Sequence, residues 1–159
     1  MEEPYKLTIV SSPAPYCRTH KGKQSRVQCR EMACFWNGIL EAMRPEERLH
    51  FGPDAAGLQG FLARHNRATP HCMWQGQVLR PQELRDHVAW IRDDTTPVDH
   101  GHDTSTCDPY LCLVVELLGV DIHHHYNGHQ VRYTFRRNPR TPVRTLKFRS
   151  DRGHFWAVR

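Results

Sequence analysis

The sequence predicts an α+β fold, with helices packed on a small, mainly antiparallel sheet. Three observations carry this. Helix-periodic apolar runs occupy the stretch from Cys34 to Leu118. Period-two alternation takes over from Val120 to Val158. An Asn127-Gly128 pair stands between two of the alternating runs and marks a hairpin. Helices first and strands afterwards is the α+β order, not the βαβ alternation of a parallel sheet.

Leu7–Val10 reads as a short strand, and Ser11–Ala33, charged and without period, as loop. Cys34–Met43 is a helix: Phe35, Ile39 and Met43 share a stripe that Trp36 and Leu40 widen. Pro53-Asp54 opens a second helical stretch, to about His65. Pro81 opens a third, with Glu83 in its first turn and Leu84, Val88 and Ile91 on one face. Asp93–Thr106 is polar and acidic and reads as an exposed loop. Asp108-Pro109 is a capping acid followed by a first-turn proline, and Gly119 ends the helix over Tyr110–Leu118. Val120–Tyr126, the alternating residues up to Phe135, Val143–Arg149 and His154–Val158 are strands, with Ser150–Gly153 a turn.

The chain of 159 residues suffices for one domain with one core. Its 38% hydrophobic and 25% charged residues exclude a disordered chain. No apolar run reaches about 18 residues, so no membrane segment is expected. Met1-Glu2-Glu3-Pro4 lacks the layout of a secretory signal. Six cysteines, at positions 17, 29, 34, 72, 107 and 112, therefore read as reduced thiols, and the location as cytoplasmic.

The net charge of +5 is concentrated late: residues 120–159 hold nine Lys/Arg against two Asp/Glu. These cations alternate with apolar residues, as on the solvent faces of strands. A nucleic-acid surface built from Arg132, Arg136, Arg137, Arg140 and Arg144 is the functional alternative. It ranks last, and nucleic acid is not the expected partner, because it leaves Cys34 and His154 without a role. His100, His102, Cys107 and Cys112, followed by His123-His124-His125 and His129, raise the question of zinc. The spacing argues against it. There is no Cys-x-x-Cys, and adjacent strand residues point to opposite faces. No metal and no cofactor are expected.

Cys34 carries the sharpest signal. It starts a helix, where backbone N–H groups and the dipole favour a thiolate. His154, far downstream, is a candidate base. A cysteine and a histidine that meet only in space suggest a cysteine hydrolase, in which Cys34 attacks a carbonyl and His154 protonates the leaving amine. N–H groups of the Glu31–Cys34 loop would receive the oxyanion. The alternative is a structural cysteine and a satisfied histidine.

The segment Glu31-Met32-Ala33-Cys34-Phe35-Trp36 resembles the Asp-Gly-Asn-Cys-Phe-Phe/Tyr segment of the ovarian tumour (OTU) family of cysteine proteases. Tyr110–Leu118 leading into Gly119-Val120-Asp121-Ile122 resembles that family's helix–strand step, and Gly153-His154-Phe155 its closing histidine strand. The ordered matches span residues 28–159, with 1–27 as an N-terminal strand and loop of the same single domain. Order and size suit the compact viral members.

The resemblance implies an OTU/papain-like fold and isopeptidase activity on ubiquitin or ubiquitin-like conjugates, in the host cytosol if the protein is viral. A viral polyprotein is a second implied substrate, as in several plant-virus members; that His154 lies so near the end of the chain fits a domain cut from a polyprotein. It assigns Cys34 as nucleophile and His154 as general base, with Glu31 where the family has aspartate. The chain departs from the family twice. Trp156 stands where many members carry the polar residue that orients the histidine, and Met32-Ala33 replaces Gly-Asn in the cysteine loop. The protein then works as a dyad, or Glu31 or Asp151 orients His154. Trp156 shields or stacks on the ring, or belongs to the core. The implied basic ubiquitin tail would find acidic partners in Asp93 and Asp94. A catalytically inactive OTU-like binding module is the competing reading.

Overall fold

The computed structural model describes residues 25–27, 33–104, 106–137, 141, 143–151 and 154–159. The fold is α+β. Its helices are α1 (Cys34–Ala42), α2 (Pro45–Phe51), α3 (Ala55–Arg64), α4 (Pro81–Arg92) and α5 (Pro109–Leu118). The expected strand at Leu7–Val10 lies outside the described residues.

Helix starts follow local chemistry. The Asp54 carboxylate accepts from the Gly57 N–H (2.8 Å) and opens α3. In α2 and α4 a proline takes the first position, and a glutamate two residues later reaches back to the cap N–H: Glu47 to Arg44 (2.8 Å) and Glu83 to Arg80 (2.7 Å). Helix α2 was not expected, because arginine is not a favoured cap residue. Gly119 ends α5 in the left-handed conformation, φ 65°. Pro109 to Glu116 of α5 are all buried, so this helix is the core's axis. It packs on α3, α4 and the main sheet.

The main sheet contains β2 (Cys72–Trp74), β3 (Gln77–Val78), β5 (Asp121–Tyr126), β6 (His129–Phe135), β7 (Thr145–Ser150) and β8 (Phe155–Ala157). The strand order is β3-β2-β6-β5-β7-β8. Neighbours are antiparallel except β5 and β7, which run parallel. β6 and β7 therefore lie on opposite sides of β5. The inner face buries Ile122, Val131, Tyr133, Leu146, Phe148 and Phe155. A second, two-stranded sheet joins β1 (Ser25–Val27) to β4 (His102–Thr104). Both strands fall in segments expected to be loop.

The two-residue hairpins make a useful contrast. Asn127-Gly128 (φ 51° and 85°) turns β5 into β6, as expected. Gln75-Gly76 (φ 52° and 76°) does the same between β2 and β3, which the sequence reading missed.

Helix α1 lies against β8 at very short range. A Cβ on Gly38 would come 2.7 Å from Phe155 Cδ1, so any larger residue there must displace the ring. Cys72 and Cys112 are free, buried thiols, and burial together with the neighbouring Cys72 thiol pushes Cys112 up. Cys34 and Cys107 are half-cystines. The expectation of reduced thiols therefore fails at those two positions; Cys17 and Cys29 lie outside the described residues.

A buried polar knot forms around Asp108. One carboxylate oxygen caps α5 by accepting from Tyr110 N–H (2.9 Å) and Leu111 N–H (3.4 Å). The other accepts from His102 Nε2 (2.6 Å), and both side chains are under 5% exposed. The Asp108 N–H donates to Tyr133 Oη (2.9 Å). Asp108→Ala removes the cap and strands His102, so urea denaturation should show a loss of about 3 kcal/mol.

His124, on the inner face of β5, contacts Ser150 Oγ through Nε2 (2.7 Å), and its Nδ1 has no partner among the described residues. Burial holds its pKa down at about 4, against an ordinary 6.5, despite the opposing pull of Asp108. Above pH 6.5 both folded and unfolded chains carry it neutral. As pH falls from there to about 4, the unfolded chain takes up a proton that the folded chain refuses, and stability declines by about 3 kcal/mol in full. His124→Gln should flatten that decline in urea midpoints compared at about pH 4.5 and about pH 7.

Candidate functional site

Cys34 and His154 face the same cleft. Both line one open cleft of about 180 Å³, with Asn37, Gly38, Glu41, Phe155 and Trp156. The helix supplies Cys34, Asn37, Gly38 and Glu41; Phe155 and Trp156 belong to β8, which His154 immediately precedes. The close approach at Gly38 is what lets the two elements share a cleft.

Cys34 is the first residue of α1 and is buried. Ala33 is the cap residue and half-buried; its carbonyl accepts from Asn37 N–H (2.9 Å), and it makes no side-chain capping bond. The first-turn N–H groups therefore lack a capping side chain from Ala33. Glu31 and Met32 lie outside the described residues, so the expected oxyanion loop is represented by Ala33 and Cys34 alone. As a half-cystine, Cys34 has no thiolate to offer. Cleaving that disulfide would deliver a sulfur at a helix start, where the thiolate is favoured.

The His154 ring stacks on the Trp156 indole, centroids 5.2 Å apart at 18°. Among the described residues no side chain hydrogen-bonds the imidazole. Trp156 is half-buried, so it fits the stacking alternative and not the core one. The exposed Asp151 sits across the β7–β8 turn, where its N–H donates to the His154 carbonyl (3.0 Å). That bond fixes the backbone of His154 and not the ring.

Asp93 and Asp94 are not among the residues lining the cleft. Asp93 ends α4 and accepts from Arg92 Nε (2.9 Å), which holds its carboxyl below the usual range. Asp94 accepts from Tyr110 Oη (2.6 Å) and Thr96 N–H (3.0 Å). Burial and then Asp94 push the Tyr110 phenol up. The acid that does line the cleft is Glu41. It and Asn37 went unnoticed in the sequence, although positions three and seven residues after Cys34 share its helical face.

The histidine-rich stretch divides. His102 serves Asp108, His124 faces inward, and His123 and His125 face outward beside Lys147 and Arg149. Among the described residues no three His, Cys, Asp or Glu side chains gather as a metal-binding group. No described helix is long and apolar enough to cross a membrane. Of the arginines considered for nucleic acid, Arg137 pairs with Asp121 (3.2 Å) and Arg144 with Glu47 (2.8 Å), and Arg140 lies outside the described residues.

Comparison with family models, with curated proteins and with solved structures finds no match to this chain.

Proposed function

We propose that the chain, with the Cys34 disulfide reduced, is a cysteine hydrolase of OTU type that cleaves isopeptide bonds of ubiquitin or ubiquitin-like conjugates. The observation that carries this reading is the shared cleft of Cys34 and His154, on elements 120 residues apart in sequence (154 − 34). The order of motifs and the α+β layout support the family. A viral source, with a polyprotein as second substrate, belongs to the same proposal. So does a cytosolic location, where reducing conditions would maintain the thiol.

The chemistry starts with a small thiol, which opens the disulfide by exchange and releases the Cys34 thiol. His154 takes its proton. The thiolate adds to the scissile carbonyl carbon, and first-turn N–H groups of α1 receive the oxyanion. His154 then protonates the leaving lysine amine, leaving a thioester on Cys34. Water attacks that thioester with His154 as base, and the carboxylate and free enzyme separate. Stacking on Trp156 holds the imidazole plane in the role that a polar partner plays elsewhere.

The half-cystine state favours a second reading, a catalytically inactive module that binds a ubiquitin-type protein in the same cleft. A ubiquitin-based electrophilic probe separates the two. After reduction the wild-type chain should be labelled, Cys34→Ala should not, and His154→Ala should react at least about a hundredfold more slowly. Labelling that persists in Cys34→Ala, or binding of ubiquitin with no labelling of the reduced wild type, would overturn the enzyme reading.

Glu41 supplies negative charge where a basic substrate tail would lie. Glu41→Lys should raise KM for a ubiquitin-derived substrate by about tenfold and leave a short uncharged substrate nearly unchanged.

A further inference from the structure

The outer face of the main sheet carries cations on three neighbouring strands. The register sets His123 of β5 opposite Arg132 of β6 on one side and Lys147 of β7 on the other. Two residues along, His125 stands between Gln130 and Arg149. Paired residues in a sheet point to the same side, so these side chains share one surface. Arg132, Lys147 and Arg149 are exposed, and none forms an ion pair with a described carboxylate. Arg92, Arg137 and Arg144 elsewhere all do.

An open groove of about 310 Å³ runs across this face, lined by His123, His125, Gln130, Lys147 and Arg149 among others, with no acidic residue in its wall among the described residues. Burial and the Arg132 and Lys147 charges hold His123 below its usual range, despite the opposing pull of Asp121. It is thus a neutral N–H donor among cations. The side chains of His123, His125, Gln130, Lys147 and Arg149 can each donate to a phosphate oxygen.

We propose that this groove binds the sugar–phosphate backbone of single-stranded nucleic acid. The groove is too small for a duplex. Its floor is made of central strands whose backbone groups are already paired, so a peptide cannot be held by strand addition. What remains is recognition by charge and N–H donation, which suits a regular polyanion and carries no sequence preference. Lys147 and Arg149 in the groove, with Arg132 beside it on the same face, correspond to a logarithmic salt slope of about −2, or an affinity loss of about fifteenfold for a fourfold rise in salt. The site does not depend on Cys34 or His154.

The test is fluorescence anisotropy of a labelled mixed-sequence single-stranded oligonucleotide with the full chain across a salt series. Lys147→Glu/Arg149→Glu should weaken binding at least about tenfold and reduce the slope by about one to two. Arg67→Glu, at an exposed cation outside the strands and outside the groove's lining, should change neither. An unchanged thermal midpoint certifies the variant's fold; if it shifts, Lys147→Gln/Arg149→Gln replaces it and should show the same trend. Absence of binding, equal losses in the Arg67 variant, or equally effective competition by polyglutamate of matched charge would overturn the proposal, the last in favour of an acidic protein.

Discussion

The carboxylate of Asp108 is the interaction on which the remaining geometry hangs. One oxygen starts α5, the helix buried along most of its length, and the other holds His102. The His102 ring in turn lies flat under Phe35, centroids 3.6 Å apart at 10°. Phe35 is the residue after Cys34. A single buried anion therefore sets the start of the central helix and, through one aromatic stack, the start of α1. Nearby, the Thr106 carbonyl accepts from Trp74 Nε1 (2.7 Å), tying β2 into the same knot. Buried charge of this kind is tolerated only when it is paired and hydrogen-bonded, and here each oxygen has a donor.

How far the sequence reveals the fold depends on whether a signal is local. Asp54, Asp108-Pro109, Gly119 and Asn127-Gly128 each act within a few residues, and the structure uses all of them as expected. The strands β5, β6 and β7 were legible because each is six or seven residues long, enough for a strand pattern to show. The short pairs, β1 with β4 and β2 with β3, hold two or three residues each and carry no period. Their pairing is decided by what lies across from them. The parallel match of β5 with β7 is likewise non-local, since β6 intervenes in the chain but lies on the other side of β5.

The site shows the same division. Cys34 at a helix start is a local statement, and the helix is there. That His154 shares its cleft follows from the packing of Phe155 into the space left by Gly38, which no motif announces. Counting acids pointed to Asp93 and Asp94, whereas helical spacing from Cys34 points to Glu41. A loop's charge is visible in sequence but its direction is not. The redox state of Cys34 lay equally out of reach, because disulfide pairing depends on distance in space. The sheet's two faces end up with separate characters: apolar towards α5, cationic towards solvent.

The last strand of the sheet has a consequence for how the cleft persists. β8 is three residues long, lies at the edge of the sheet, and is held by β7 on one side and by α1 on its face. Short edge elements open at a lower free energy than the core that supports them. Detachment of these few residues would separate His154 from Cys34 while α5 and the central strands stay folded. The shared cleft of the two residues would then be lost at a lower free energy than the domain itself.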